Sequence, residues 1–599
     1  MVRNLKLHLA GMFLAWMLAV TVASSSVNGQ VSSLPNGVAS GDVTQTSAIL
    51  WAHSTALGEV TFGYSTFDDF EIIEGRETTM VVDVNQPVKV EINDLIPASQ
   101  YYYRITDARN ETAVGQFRTP WDSDISAGLH FGASGDWQQA PPFPSLKNVS
   151  ERDLDFFIKL GDSIYADAET PALPAVVQAR TLEDFRTKHN ENLSSRFGLN
   201  VMALLNASTS ILATIDDHEI VDNFAGGAVP GQSPDAPDVH SSEAPLFTNA
   251  VDFVNETQVY RDAMQAFQEY HPIRDELWNT PDDVLTHGKP RFYRKATYGN
   301  DAAVLILDAR SFRDAPLPVI SNPFDANEVD AFLVSIFAAD RTMLGRPQGD
   351  RLKKDLLDSQ RDGITWKFVI IPEPIQNFGV INAEDRFEGY AAERTELLKF
   401  IHENRIKNVV FIAGDFHGTI INNLAFQELL TEGTDDVVVE STPVSAFEVV
   451  TGPAAFFDGL LGPSIVNLAF SEGVLGSFLK AFYDRLPVAP DTDSIVNDKD
   501  DFLKSLINNQ LEVFDYDPIG LNESNMEAEG LIHSELIQGD YLACHTFGWA
   551  EFEIVAGSRE LVVTVYGVDA YSEMDLLTDY DDVINQIPRV VSQFIVHPN

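Results

Sequence analysis

The sequence predicts an α/β chain with an all-β layer in front of it, and two patterns support that prediction. Short polar clusters recur directly behind apolar runs of strand length: Ala133-Ser134-Gly135-Asp136, Gly161-Asp162-Ser163-Ile164-Tyr165, Asp216-Asp217-His218-Glu219 and Gly414-Asp415-Phe416-His417. Residues 156–160, 211–215 and 409–413 precede three of these clusters, and the run 129–133 precedes the first. Runs rich in β-branched and aromatic residues read as buried strands. The second pattern is a helix–strand rhythm: helical stretches 351–362 and 394–405 stand before strands 367–371 and 409–413. Acids at the carboxyl ends of strands are the usual position for ligands of an α/β sheet.

The elements follow in order. Arg3 and Lys6 precede an apolar stretch, 9–23, and then small and polar residues. Residues 1–29 therefore read as a secretory signal peptide, with cleavage after Ala23 or Gly29. This implies a secreted, periplasmic or extracellular protein with no transmembrane anchor after cleavage. Residues 30–120 read as a β-sandwich with short strands at 48–51, 60–64, 79–84, 88–92, 101–105 and 114–119. Alternation puts Tyr101 and Tyr103 on one face and Tyr102 on the other. From 121 onward, helices are predicted at 182–190, 196–205 and 258–269, with a Gly/Pro/Asp/Ser-rich loop at 222–250. Strands at 292–297 and 302–307 lead to Asp308-Ala309-Arg310-Ser311-Phe312-Arg313. Residues 451–535 form a less regular insertion, with an apolar helical stretch at 465–484 and an acidic loop at 487–501. A terminal hairpin over 545–568 turns at Ala556-Gly557-Ser558 and returns to the core.

Composition sets limits. A chain of 599 residues requires more than one core. The net charge of −49, from 40 Lys+Arg against 89 Asp+Glu, makes nucleic acid and anionic membranes poor partners, with no stable nucleic-acid binding expected. The single cysteine, Cys544, rules out an intrachain disulfide and reads as a buried, inert thiol. Neither a Walker loop, a dinucleotide-binding glycine loop nor a serine nucleophile elbow is present.

The clusters supply carboxylates, a phenol and imidazoles, a donor set suited to iron, calcium, zinc or manganese. Asp162 and Asp415 are the strongest ligand candidates. Asp136 could bind the same ion from the neighbouring strand, and the Tyr165 phenolate could complete a ferric site. His417 pairs with Asp415, and Asn223 offers a neutral oxygen. A bridged pair of cations can clamp a phosphate and activate water. His218, behind Asp216 and Asp217, could protonate a leaving oxygen. Arg310 and Arg313 could receive phosphate oxygens in a bidentate fork.

With these residues in view, the chain resembles the alkaline phosphatase D, or PhoD-like, family of secreted phosphodiesterases and phosphatases. The resemblance starts at Leu34-Pro35-Asn36-Gly37-Val38-Ala39-Ser40-Gly41-Asp42-Val43-Thr44 and continues through Leu160–Tyr165, Asp216–Glu219, Asp308–Arg313, Trp366-Lys367, Gln376, Gly414–His417, Glu440-Ser441-Thr442 and Gly548-Trp549. It implies a calcineurin-like metallophosphoesterase β-sandwich core flanked by helices, preceded by a fibronectin-type-III-like domain at 30–120. It also implies Fe³⁺ and Ca²⁺, with Asp162, Tyr165, Asn223, Asp415 and His417 at the metals, Asp217 and His218 in the site, and Arg310 near the phosphate. The chain departs from the family at Gly135, where a cysteine is common, so that Asp136 stands in for the thiolate. In this it resembles purple acid phosphatases, which share the Gly-Asp…Tyr pattern, and Zn²⁺ or Mn²⁺ at one or more positions becomes the alternative.

The expected function is hydrolysis of phosphomonoesters, phosphodiesters or both by metal-activated hydroxide. Expected substrates are small phosphate esters, including nucleotides or phospholipid headgroups, with no obligate protein partner. Two other readings are a purple-acid-like or nucleotidase activity at a different dinuclear site, and a non-enzymatic exported binding protein.

Overall fold

The computed structural model describes residues 32–138, 141–234, 245–322, 325–379, 383–430, 438–457, 459–493, 495–513, 516–521 and 531–599. The expected signal peptide, 1–29, lies outside the described residues, as does part of loop 222–250.

Two mixed sheets face each other. In the first, Leu129–Trp137, Phe156–Lys159, Ser210–Ala213 and Val38–Gly41 lie side by side and parallel. In the second, Ala302–Ile306, Trp366–Ile370, Val409–Ala413 and Val438–Val450 do the same. The parallel strands Phe156–Lys159, Ser210–Ala213, Ala302–Ile306, Trp366–Ile370 and Val409–Ala413 are buried along their whole length. This is why they read as continuous apolar runs rather than alternating ones. Phe131, Phe156 and Ile158 of the first sheet meet Val304, Phe368, Val410 and Ile412 of the second in one core. The Phe131 ring lies 5.0 Å from Phe368, edge to face, across the gap.

Helices close the outer faces. Arg346–Arg361 and Ala391–Glu403 bring Leu352, Leu356, Leu398 and Ile401 against Val369 and Phe411. Gln258–Tyr270 brings Met264 and Phe267 against Ala213 and Ile215. That helix starts where the Thr257 side chain accepts from the Tyr260 N–H. It stops at His271 because Pro272 disfavours helical backbone in the residue before it. The result is an α+β fold of mixed sheets with flanking helices.

The amino-terminal layer packs Val38–Gly41, Ala48–Ala52 and Val88–Ile92 against a four-stranded sheet of Gly75–Val81, Gly58–Ser65, Gln100–Thr106 and Thr112–Arg118. Leu50, Phe62, Tyr101, Tyr103 and Phe117 fill the space between, and Tyr102 faces outward, half-buried. The first of these sheets does not stop at the layer. Ser40 pairs with Ser210 and Gly41 with Ile211, so it runs unbroken into the main sheet. A Cβ at Gly41 would collide with the carbonyl oxygens of Ile211 and Pro272, so this close approach requires glycine there.

The insertion differs from expectation. The stretch 465–484 forms two helices, Leu461–Ser471 and Ser477–Tyr483, interrupted near Gly473, whose φ is 75°. The acidic loop ends where helix Lys499–Val513 begins, because the Asp498 carboxylate accepts from the Asp500 and Asp501 N–H groups. The terminal hairpin forms as expected. Thr546–Ile554 pairs antiparallel with Leu561–Asp569 and docks beside Leu129–Trp137.

Candidate metal centre

The four polar clusters converge because their strands run parallel within facing sheets, so their carboxyl ends share one rim. Asp136 lies near the end of Leu129–Trp137, Asp162 follows Phe156–Lys159, Asp216 and Asp217 follow Ser210–Ala213, and Asp415 and His417 follow Val409–Ala413. Asp136, Asp162, Asn223, Asp415 and His417 all hold left-handed backbone, with φ of 56°, 50°, 59°, 66° and 54°. Such backbone costs a non-glycine residue about 1 kcal/mol or more, least for Asp and Asn. Five residues with such backbone thus meet at this one site.

Three sets of ligand atoms each fall within 4.8 Å: Asp136, Asp162 and His417; Asp162, Asp217 and His218; and Asp216, Asp217 and Asp415. Asp162 and Asp217 each belong to two sets, so the three pockets adjoin. The Tyr165 hydroxyl donates to Asp162 Oδ2 at 3.3 Å, and its ring stacks on His218 at 4.1 Å. The Asp415 N–H donates to Asp136 Oδ1 at 3.2 Å, and His417 Nε2 lies 3.9 Å from the same oxygen. Asn223 joins through its backbone, donating to Asp217 Oδ2 at 2.7 Å, while its side-chain amide turns to Asp222. Glu219 ties the loops together. Its carboxylate accepts from the N–H groups of Asp162, Ser163 and Asp216 at 3.1, 2.7 and 2.8 Å, and from the Ser163 hydroxyl at 2.6 Å.

The electrostatics call for cations. Burial lifts Asp136 to about 7, against the Asp415 N–H that lowers it. Burial and then neighbouring carboxylates push Asp162 and Asp415 well above the carboxylate range. Asp217 goes the other way: burial is outweighed by Arg310 and His218, which hold it well below its ordinary value. Burial, with cationic His218 beside it, presses His417 down to about 3, leaving a neutral imidazole with a free lone pair. Asp136 Oδ2, Asp216 Oδ2 and His417 Nε2 are buried without a hydrogen-bond partner. Orphaned acceptors of this kind, among carboxylates that cannot all be charged together, fit bound hard cations. Asp136, Asp162, Asp216 and Asp217 form a buried floor. The side chains of Asp415, His417 and His218 stay 23, 21 and 17% exposed at its lip.

Arg310 enters from beneath. Its side chain is fully buried, with Nε on Asp216 Oδ1 at 2.7 Å, Nη1 on Asp385 Oδ1 at 2.9 Å and Nη2 on Asp217 Oδ2 at 3.3 Å, and Glu373 is a further partner. Arg313 is buried too and shares Asp385 and Glu373. Neither guanidinium offers the open fork that the sequence suggested for a phosphate, because carboxylates already occupy both.

Residues 129–458 match the family model described as PhoD-like phosphatase, and residues 21–120 match PhoD-like phosphatase, N-terminal domain. This chain belongs to the PhoD-like phosphatase family. Alkaline phosphatase D of Bacillus subtilis (strain 168) is 26% identical over 456 residues, 69% of this chain and 71% of that protein. A solved structure of PhoD superimposes with a TM-score of 0.62 over 95% of this chain and 93% of its own, at 19% identity, which is agreement in fold. A purple acid phosphatase from yellow lupin (Lupinus luteus) seeds reaches a TM-score of only 0.43 over 90% of this chain and 75% of that one, at 11% identity.

The PhoD-like match spans every residue of the centre from Asp136 to His417. Four side chains around it escaped the sequence reading. Asp167 holds His218 Nδ1 at 2.8 Å and, with Asp217, keeps the imidazole charged against the pull of burial. Glu373 follows strand Trp366–Ile370, the same strand-then-acid signal, and was findable on that ground. Asp385 and Phe456 lie in irregular segments that carry no such signal. Phe456 stacks on His417 with ring centroids 3.5 Å apart.

Proposed function

We propose that this chain is a metal-dependent hydrolase of phosphate esters. The observation carrying this reading is the convergence of orphaned carboxylate oxygens and a neutral imidazole at an open lip, in a PhoD-like chain. Asp136, Asp162, Tyr165 and His417 would hold one cation, and Asp217, Asp415 and Asp216 another, with Asn223 at their edge. Bound there, the cations would neutralise the phosphate oxygens and acidify a water. The phenol of Tyr165 and the family resemblance favour Fe³⁺ with Ca²⁺. Asp136, standing where the family often has cysteine, is the reason to test for Zn²⁺ or Mn²⁺ as well.

The chain's own residues supply the remaining functions. His218, held protonated by Asp167 and exposed at the lip, donates its proton to the leaving alcohol oxygen. Arg310 keeps Asp217 ionised and the floor electrically tolerable, which makes it a positioning residue. Glu219 holds the Asp162 and Asp216 loops in register. Around this centre we read residues 1–29 as an export signal, with a periplasmic or extracellular destination. We read 30–120 as fibronectin-type-III-like and 121–599 as a calcineurin-like domain with 451–535 inserted. No helix among the described residues is long and apolar enough to cross a membrane.

The test pairs elemental analysis with assays on mono- and diesters. Wild-type protein is expected to carry metal and to turn over at least one ester class. Asp162→Asn should keep its circular dichroism spectrum while losing metal and about 100-fold or more of the activity. A metal-free wild-type protein that stays inactive after supplementation with each cation would overturn the proposal.

A further inference from the structure

An aromatic column runs along one side of the metal centre. His218 stacks on Tyr165 at 4.1 Å, Tyr165 lies 5.7 Å from Phe456, and Phe456 stacks on His417 at 3.5 Å. Three of these four side chains have a polar task already. Phe456 has none: it offers no ligand atom and no proton. Yet it is firmly anchored. Strand Pro453–Ala455 pairs with Leu129–Trp137, setting Pro453 opposite Gly135 and Ala455 opposite Trp137 on either side of Asp136. The Gln138 side chain takes the next N–H, that of Phe457.

Aromatic surface recurs at Asp415 and His417. Phe416, between these two residues, packs edge-on against Phe378 at 4.5 Å, and the Arg386 guanidinium stands 5.6 Å over its ring. Phe456, Phe416 and Phe378 are all half-buried rather than enclosed in the core. A floor of carboxylates beside rings divides the work of recognition. Phosphate oxygens belong on cations held by the floor. The rings have nothing to offer a phosphate and can receive only the organic part of the ester, and aromatic faces favour a flat partner.

We propose that Phe456 is the stacking platform of a subsite for a planar aromatic group on the alcohol side of the ester. The preferred substrates are then aryl or nucleoside phosphate esters rather than those of flexible polyols. This inference rests on the reading of the centre as a phosphoesterase site, and it adds the chemistry of the leaving group.

Two non-hydrolysable probes separate the parts: phenylphosphonate and methylphosphonate, titrated calorimetrically into the metal-loaded full chain. The phosphonate group is the same in both, so the difference reads the ring alone. Wild type is expected to bind phenylphosphonate about 10-fold more tightly. Phe456→Ala should erase that preference while leaving methylphosphonate affinity and metal content unchanged. Phe456→Trp should retain the preference, and Phe456→Leu should lose it with packing beside His417 preserved. Equal affinity of wild type for both probes would overturn the inference. So would parallel weakening of both probes with loss of metal in Phe456→Leu, which would mark the ring as mere support for His417. If wild type binds neither phosphonate and hydrolyses no ester, the phosphoesterase reading itself fails. Methylphosphonate binding without a phenyl preference sinks only the subsite.

Discussion

Replacing Arg310 with methionine tests the floor of the centre most directly. The guanidinium is fully buried and serves Asp216, Asp217, Asp385 and Glu373 together. Removing one partner of a buried pair costs about 3–5 kcal/mol, because the abandoned charge stays in the interior. Arg313 still covers Asp385 and Glu373, so the loss falls on Asp216 and Asp217. We expect about 4 kcal/mol of destabilisation for metal-free protein at pH 8. The pH dependence has a definite sign. In the wild type, Arg310 helps to hold Asp217 well below its ordinary value of 3.8. A depressed carboxylate contributes stability above its unfolded pKa and loses it as pH falls through the folded one. The variant lacks that contribution, so its deficit is widest at pH 8. The deficit narrows on acidification, as carboxylates stripped of their counter-charge take up protons. Urea unfolding followed by fluorescence of the buried Trp137, Trp366 and Trp549 reads the effect at pH 8 and pH 5. Added cations should restore part of it. A variant within about 1 kcal/mol of wild type at pH 8, impaired only in KM, would refute this reasoning and return Arg310 to the phosphate.

Two further substitutions probe how the site is held. Asp167→Asn removes the carboxylate that, with Asp217, keeps His218 protonated against burial. The His218 pKa then falls toward 6.5, and the alkaline limb of kcat/KM should move to lower pH; an unmoved limb would show that another group donates the proton. Glu219→Gln sets an amide NH₂ against two donors whichever way it turns, since each carboxylate oxygen accepts two hydrogen bonds. Losing two charge-assisted bonds at about 1.5–3 kcal/mol each predicts a stability loss of about 3 kcal/mol or more, with weakened metal retention, measured by denaturation and elemental analysis.

The strand ends of the site were legible because buried parallel strands leave apolar runs, and an acid behind such a run stands out. Asp136, Asp162, Asp217, Asp415 and His417 were found in that way, and the structure brings them within reach of one another. Arg310 was legible as a residue but not in its orientation. Sequence shows a guanidinium after a strand and cannot show that Asp385, far along the chain, already holds it. Asp167 and Phe456 act through loops whose course depends on tertiary packing. The long hairpin of Thr419–Leu430 and Val438–Val450 escaped because Asn422, Asn423, Gln427 and Glu428 break its apolar pattern and a bulge at Asn423/Leu424 shifts its register. The apolar stretch 465–484 reads as one helix although Gly473 and Gly476 stand inside it, since glycine inside an apolar run signals a break only weakly.

The pairing of Ser40 with Ser210 and of Gly41 with Ile211 has a consequence for dissection of the molecule. A protein clipped before residue 121 would bare a raw, sticky border of amide groups along Ser210–Ala213, inviting aggregation. That same strand delivers Asp216 and Asp217 to the floor. The amino-terminal layer is therefore no detachable appendage to be swapped between relatives. It is the wall against which half of the carboxylate floor is braced, and because ribosomes release the amino end first, the brace emerges before the strand that leans on it.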